Sequence, residues 1–174
     1  MKGTNLEASP TMTRGARAGD AVAASERPVL VAIDFSQEAE AALIWACDYA
    51  ERIGAPLEVL HVVHDPADAP GTYKPDSDDP LEPIVEVARR RLADFLERIG
   101  DENPHRPALE TASFSCTPGL PASTIVQVAQ AHGAQHLVLG GPQRGALGRL
   151  LHGSTAQKVA GLAHLPVTIV KAEA

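Results

Sequence analysis

The 174-residue chain is short of several things, and each shortage excludes a class of protein. It has two cysteines, Cys47 and Cys116, too few for a disulfide framework or a thiolate zinc site. Aromatic residues make up 3% of the sequence, which leaves little from which to build a stacking platform for single-stranded nucleic acid. The formal net charge of −7 has the wrong sign for general binding to a phosphate backbone, so no nucleic-acid partner is expected. Nowhere does the chain run through the roughly 18 consecutive apolar residues of a membrane-spanning helix. Its first residues are mixed and polar, unlike a secretory leader. The expectations are no membrane insertion and a cytoplasmic location.

Acids are also missing from one region. No carboxylate side chain occurs from Thr111 to Ala172, while Arg144, Arg149, Lys158 and Lys171 all lie there. A small anion would meet no repulsive side chain in that stretch. Compositional drift in an alanine-rich sequence accounts for the same pattern, and charge alone does not separate the two.

What the chain does contain is ordinary for one globular domain, with 44% hydrophobic and 21% charged residues. Residues 1–26 are small and polar without an apolar period, and are expected to form a disordered tail ahead of a domain over 27–174. That domain alternates two patterns. Val29–Ile33 is a short continuous apolar run, the mark of a strand buried on both faces, Leu57–Val63 is a second strand, and His136–Leu139 is another buried one. Leu109–Phe114 is a weaker third strand, and Val167–Val170 follows Pro166 as the last. Between them lie helical spacings. Ser36 caps the first, which carries Ala39, Leu43, Ala46, Ala50 and Ile53 and stops at Gly54. The Asp79-Pro80 pair starts a second, with Leu81, Ile84, Ala88, Leu92, Leu96 and Ile99 in one stripe and Arg89, Arg90 and Arg91 on a solvated face. A third presents Ala122, Ile125, Val126 and Ala129, and a fourth runs from about Ser154 to Ala163. The order βαβαβαβαβ predicts an α/β fold: an open five-stranded parallel sheet with helices on both faces.

Open parallel sheets bind ligands beyond the carboxyl ends of their strands, where the strand order reverses. That rule selects Asp34-Phe35-Ser36 after the first strand and Val62, Val63 and His64 at the end of the second. After the fourth it selects the glycine-rich segment Gly140-Gly141-Pro142-Gln143-Arg144-Gly145, with Gly148 and Gly153-Ser154-Thr155 behind it. Glycines expose backbone N–H groups, hydroxyls add donors, and a helix N-terminus favours anions. Asp34 is placed either to accept from ribose hydroxyls or merely to stabilise its own helix start. Neither a P-loop nor a G-x-G-x-x-G after the first strand is present.

These stretches resemble the universal stress protein (UspA) family. The likeness is carried by Val29-Leu-Val-Ala-Ile-Asp34-Phe-Ser36, by Gly119-Leu-Pro-Ala-Ser-Thr-Ile125 through Gly140, and by Gly140 through Gly153-Ser154 to Leu165-Pro-Val-Thr-Ile-Val-Lys171. The ATP-binding branch of the family has Gly, two residues, Gly, nine residues, then Gly and Ser or Thr. Gly140 and Gly153-Ser154 match the ends of that pattern, whereas Gln143 replaces its second glycine. Gln135 is a second departure, at a position where the family usually has Asp.

The resemblance implies a Rossmann-like, adenine nucleotide alpha hydrolase-like fold. It also implies a stress-response module that binds ATP, with or without Mg2+, or else ADP or AMP, and shows little or no hydrolysis. It assigns Asp34 to the ribose and Val62 to the adenine, with Ala32, Ile33 and Leu139 on the same wall. Gly140, Gln143, Gly153, Ser154 and Thr155 surround the phosphates, and Arg144 joins them on charge grounds. It further implies a homodimer through Val167–Val170 and a protein partner that the sequence does not name. The alternative is a nucleotide-free interaction module of the same fold whose pocket is altered by Gln143, with the acidic segment 65–79 as a binding surface. A hydrolase of the wider superfamily is a third option. No catalytic residues are expected, and no metal site: His61 and His64 point to opposite faces of a strand end, and no His-Glu-x-x-His occurs.

Overall fold

The computed structural model describes residues 26–64, 84–141 and 155–172. The tail expected over 1–26 therefore lies outside the described residues except for Glu26, and so does the proposed helix start at Asp79-Pro80.

The elements run β1 (Val29–Ile33), α1 (Gln37–Ile53), β2 (Leu57–Val63), α2 (Ile84–Glu102), α3 (Pro107–Glu110), β3 (Ser113–Pro118), α4 (Pro121–Ala131), β4 (His136–Gly140), α5 (Thr155–Leu162) and β5 (Val167–Val170). All strands are parallel, in the spatial order β3-β2-β1-β4-β5. Val31 stands level with Val59 on one side and Val138 on the other, so β1 is the centre of the sheet.

Alternation along the strands builds two cores. Val29, Val31, Ile33, Leu57, Val59 and Val138 face α1, α2 and α3, where they meet Leu43, Ala46, Leu92 and Ile99. Leu30, Leu60, Val62, Leu137 and Leu139 face α4 and α5, where they meet Ile125, Ala129, Ala156 and Val159. Leu30, Leu43, Leu60, Leu92 and Leu137 are essentially without solvent contact, and each burial contributes about 1.5–3 kcal/mol.

Helix α1 begins where its sequence predicts. The Ser36 hydroxyl accepts from the Ala39 N–H at 3.1 Å, Glu38 and Glu40 stand in the positive first turn, and Gly54 closes the helix in the left-handed region at φ 64°.

The expected third strand is displaced. Residues 107–110 form the short α3 instead, and the strand is Ser113–Pro118. Pro107 occupies the first helical turn, and Ala108 and Leu109 turn inward onto the α1 side of the core. The strand that follows is at an edge, is half exposed, and needs few apolar residues. Cys116 consequently lies within β3, not after it, and is half-buried.

Candidate functional site

The chain leaves β1 toward β2 and β3 on one side, and later returns to place β4 and β5 on the other. The order thus reverses between β1 and β4, and a cleft opens there at the carboxyl ends of β1, β2 and β4. It is lined by Ala32, Ile33, Asp34, His61, Val62, Pro121, Ile125, Leu139, Gly140, Thr155 and Ala156, and has a volume of about 120 Å³. That is below the roughly 300–1,000 Å³ of a closed ligand pocket, so it suits a flat heterocycle whose remaining substituents lie over the rim.

Alternation explains the lining. Ala32, Val62 and Leu139 belong to the α4–α5 face, and together with Ile125 and Ala156 they make an apolar wall. Ile33, His61 and Gly140 carry opposite parity and meet the cleft at its strand-end edge. Thr155 opens α5 at the far side.

The β1–α1 turn forms the polar rim. One oxygen of Asp34, Oδ1, accepts from the Ser36 N–H at 3.1 Å and from the Ser36 hydroxyl at 2.5 Å. Between them Phe35 adopts φ 66°, a conformation that costs a bulky residue about 1–3 kcal/mol and persists only when packing holds it. Here the ring sits 4.5 Å from the His61 ring and 5.6 Å from that of Phe95, with the Arg91 guanidinium 4.5 Å over its centre. Arg91, expected on a merely solvated face, therefore belongs to this stack.

His61 is buried, and its Nδ1–H donates to the Ile33 carbonyl at 2.7 Å. Burial pushes its pKa down and Arg91 adds to that, while the Ile33 bond and Asp34 oppose the shift. Glu38, also buried, lies in the first turn of α1, and its Oε2 has no hydrogen-bond partner among the described residues.

Of the residues selected from sequence, Ala32, Ile33, Asp34, Val62, Leu139, Gly140 and Thr155 meet around one cleft. Gln143, Arg144, Gly153 and Ser154 lie outside the described residues. Sequence reasoning missed His61, Pro121, Ile125 and Ala156 as lining. The signal available for Pro121 and Ile125 was their four-residue spacing at the start of a helix that follows a strand end. Among the described residues no group of three or more His, Cys, Asp or Glu could hold a metal ion, and no helix is long and apolar enough to cross a membrane.

Fold and cleft together define an open parallel α/β domain with a small recess at the switch point of its sheet. The sequence model of the universal stress protein family matches residues 26–171. A universal stress protein of Mycolicibacterium smegmatis is 36% identical over 147 residues, which cover 84% of this chain and 46% of that protein. One from Thermus aquaticus is 31% identical over 145 residues, covering 83% of this chain and 98% of its own length. Among solved structures, the universal stress protein of Archaeoglobus fulgidus in complex with dAMP aligns with a TM-score of 0.53 at 25% identity, over 83% of this chain and 98% of that one. This chain belongs to the universal stress protein family. It spans about half the length of the Mycolicibacterium relative.

Proposed function

We propose that this chain is a regulatory module of the stress response that binds an adenine nucleotide, ATP in particular, and acts in the cytoplasm as a homodimer with little or no hydrolysis. The observation that carries the reading is the cleft at the switch point, apolar on one wall and bounded by a carboxylate on its rim. The dAMP complex of the Archaeoglobus relative supports the choice of an adenine nucleotide.

In this reading the base lies along Ala32, Val62 and Leu139, and the Asp34 carboxylate accepts from the sugar. The phosphates lie toward Gly140 and Thr155, with Gln143, Arg144, Gly153 and Ser154 completing the cradle. Thr155 supports that direction, because it opens a helix in a region of the chain without acidic side chains. ADP and AMP share the base and sugar contacts and bind more weakly. Bound ATP favours one dimer state, or one surface presented to a protein partner. The Oδ1 of Asp34 is already committed to Ser36, which suits a holding role better than activation of water.

The homodimer forms through β5. Among the described residues this strand pairs only with β4, at the edge of the sheet, and its Ile169 is 37% exposed. An apolar edge of that kind is a template for pairing with a copy of itself.

The test is nucleotide carried through purification. Acid extraction and chromatography of the purified protein should release adenine nucleotide, and millimolar ATP should raise the Tm of stripped protein. Stripped protein whose Tm is unmoved by millimolar ATP, ADP and AMP would overturn the reading in favour of a nucleotide-free interaction module.

A further inference from the structure

We propose that Ser36 is a positioning residue that gives the cleft a preference for ribose over 2′-deoxyribose, by fixing the Asp34 carboxylate against the start of α1. The inference rests on the nucleotide reading above and goes beyond it in naming the residue that sets sugar discrimination.

A carboxylate on an exposed rim is ordinarily free to rotate. Asp34 is held instead by two bonds from one neighbour, both to Oδ1: the Ser36 N–H at 3.1 Å and the Ser36 hydroxyl at 2.5 Å. The direction of the relay is fixed. The Ser36 oxygen accepts from the Ala39 N–H at 3.1 Å, so its single proton is left for Asp34. The anchor is rigid, because α1 is 17 residues long and packs along its buried face on the central strands.

The other oxygen, Oδ2, makes no hydrogen bond to a described residue, and Asp34 lines the cleft. With the carboxylate held in one orientation, the two lone pairs of Oδ2 are presented together to the two O–H groups of a vicinal diol. A freely turning one loses rotamer entropy for each bond and gains less from the second hydroxyl. Discrimination between a diol and a single hydroxyl therefore depends on Ser36 as well as on Asp34.

The experiment titrates the full chain with ATP and with 2′-deoxy-ATP, in the wild type, Ser36→Gly and Ser36→Thr. Glycine is a serviceable helix cap, costing only about a few tenths of a kcal/mol against serine, so Ser36→Gly keeps α1 while removing the hydroxyl. Ser36→Thr keeps both cap and hydroxyl. The wild type should prefer ATP about tenfold, the worth of one hydrogen bond to a charged group. Ser36→Gly should reduce that preference to about twofold and leave the affinity for 2′-deoxy-ATP nearly unchanged, and Ser36→Thr should restore it. A Ser36→Gly protein with the wild-type preference, or a Ser36→Thr protein that loses as much, would overturn the proposal. A wild type that binds both nucleotides equally would overturn it and leave the nucleotide reading standing, whereas a wild type that binds neither would overturn both.

Discussion

A Cβ built on Gly140 would stand 2.6 Å from the carbonyl carbon of Glu38 and 2.7 Å from the Ala39 nitrogen. The end of β4 thus rests on the first turn of α1, backbone to backbone, directly behind the turn that carries Asp34 and Ser36. Glycine is required there for close approach, independently of any role toward a ligand.

Gly140→Ala should accordingly destabilise the domain by about 1–3 kcal/mol, because the obstructing atoms are main chain and cannot swing aside. Gly161→Ala is the matched control. A Cβ at Gly161 meets nothing within 4 Å, and the change should stabilise α5 by about 0.5–1 kcal/mol. Urea denaturation of the two variants measures both. Equal stability of the two would contradict the packing described.

Gly119 makes a different demand. Its φ is 153°, and a Cβ there would lie 2.3 Å from the hydroxyl oxygen of Thr124. Gly119→Ala should cost about 1–3 kcal/mol through backbone strain alone, with the collision added. Combining it with Thr124→Ala should recover the collision but not the strain. Full recovery in the double variant, read from denaturation midpoints, would show that the conformation of Gly119 carries no cost.

The legible part of the fold was what burial on both faces writes into sequence. β1 is a continuous apolar run, β2 and β4 are apolar apart from Glu58, His61 and His136, and Ser36 and Gly54 mark the ends of α1 as capping chemistry requires. β3 was misplaced because an edge strand such as Ser113–Pro118 is half exposed and carries no such run. The apolar Leu109 beside it serves the short helix α3. The site was legible where it follows from topology, as at Asp34, Val62 and Gly140. His61 was passed over because alternation assigns it to the other face of the sheet. Its contact with the Phe35 ring depends on a left-handed residue that no pattern announces. The same holds for Arg91, whose partner is the Phe35 ring.

Stability should fall in mild acid. Burial lowers the pKa of His61 and of His136 below the ordinary value of 6.5. Each imidazole is therefore held neutral in the folded state, while the unfolded chain takes up its proton at about 6.5. The stabilisation from neutral His61 and His136 is fully present above that pH and is lost as pH falls below it toward the depressed folded values. Melting temperatures should be level from pH 8 to 7 and decline from 6.5 to 5, with a shallower decline in His61→Gln. A profile that rises as pH falls through this window would contradict the sign.

The open edge at β5 gives a test of assembly. Ile169→Lys places a charge where an edge strand would pair with a copy of itself. Sedimentation should show a dimer for the wild type and a monomer for the variant at the same concentration. A variant that sediments as the wild type would move the interface elsewhere.

The central claim is that the cleft at the β1–β4 switch point is where a nucleotide base lies. Ala32 faces that recess from the middle strand, and Ala32→Leu fills it from within while the opposite core is untouched. The most direct measurement is calorimetric titration of ATP into the full chain and into Ala32→Leu, with circular dichroism showing both folded. The account predicts one-to-one binding heat for the wild type and at least a tenfold loss of affinity in the variant. Equal affinity in the two proteins would contradict it, as would a wild type that gives no heat at millimolar ATP.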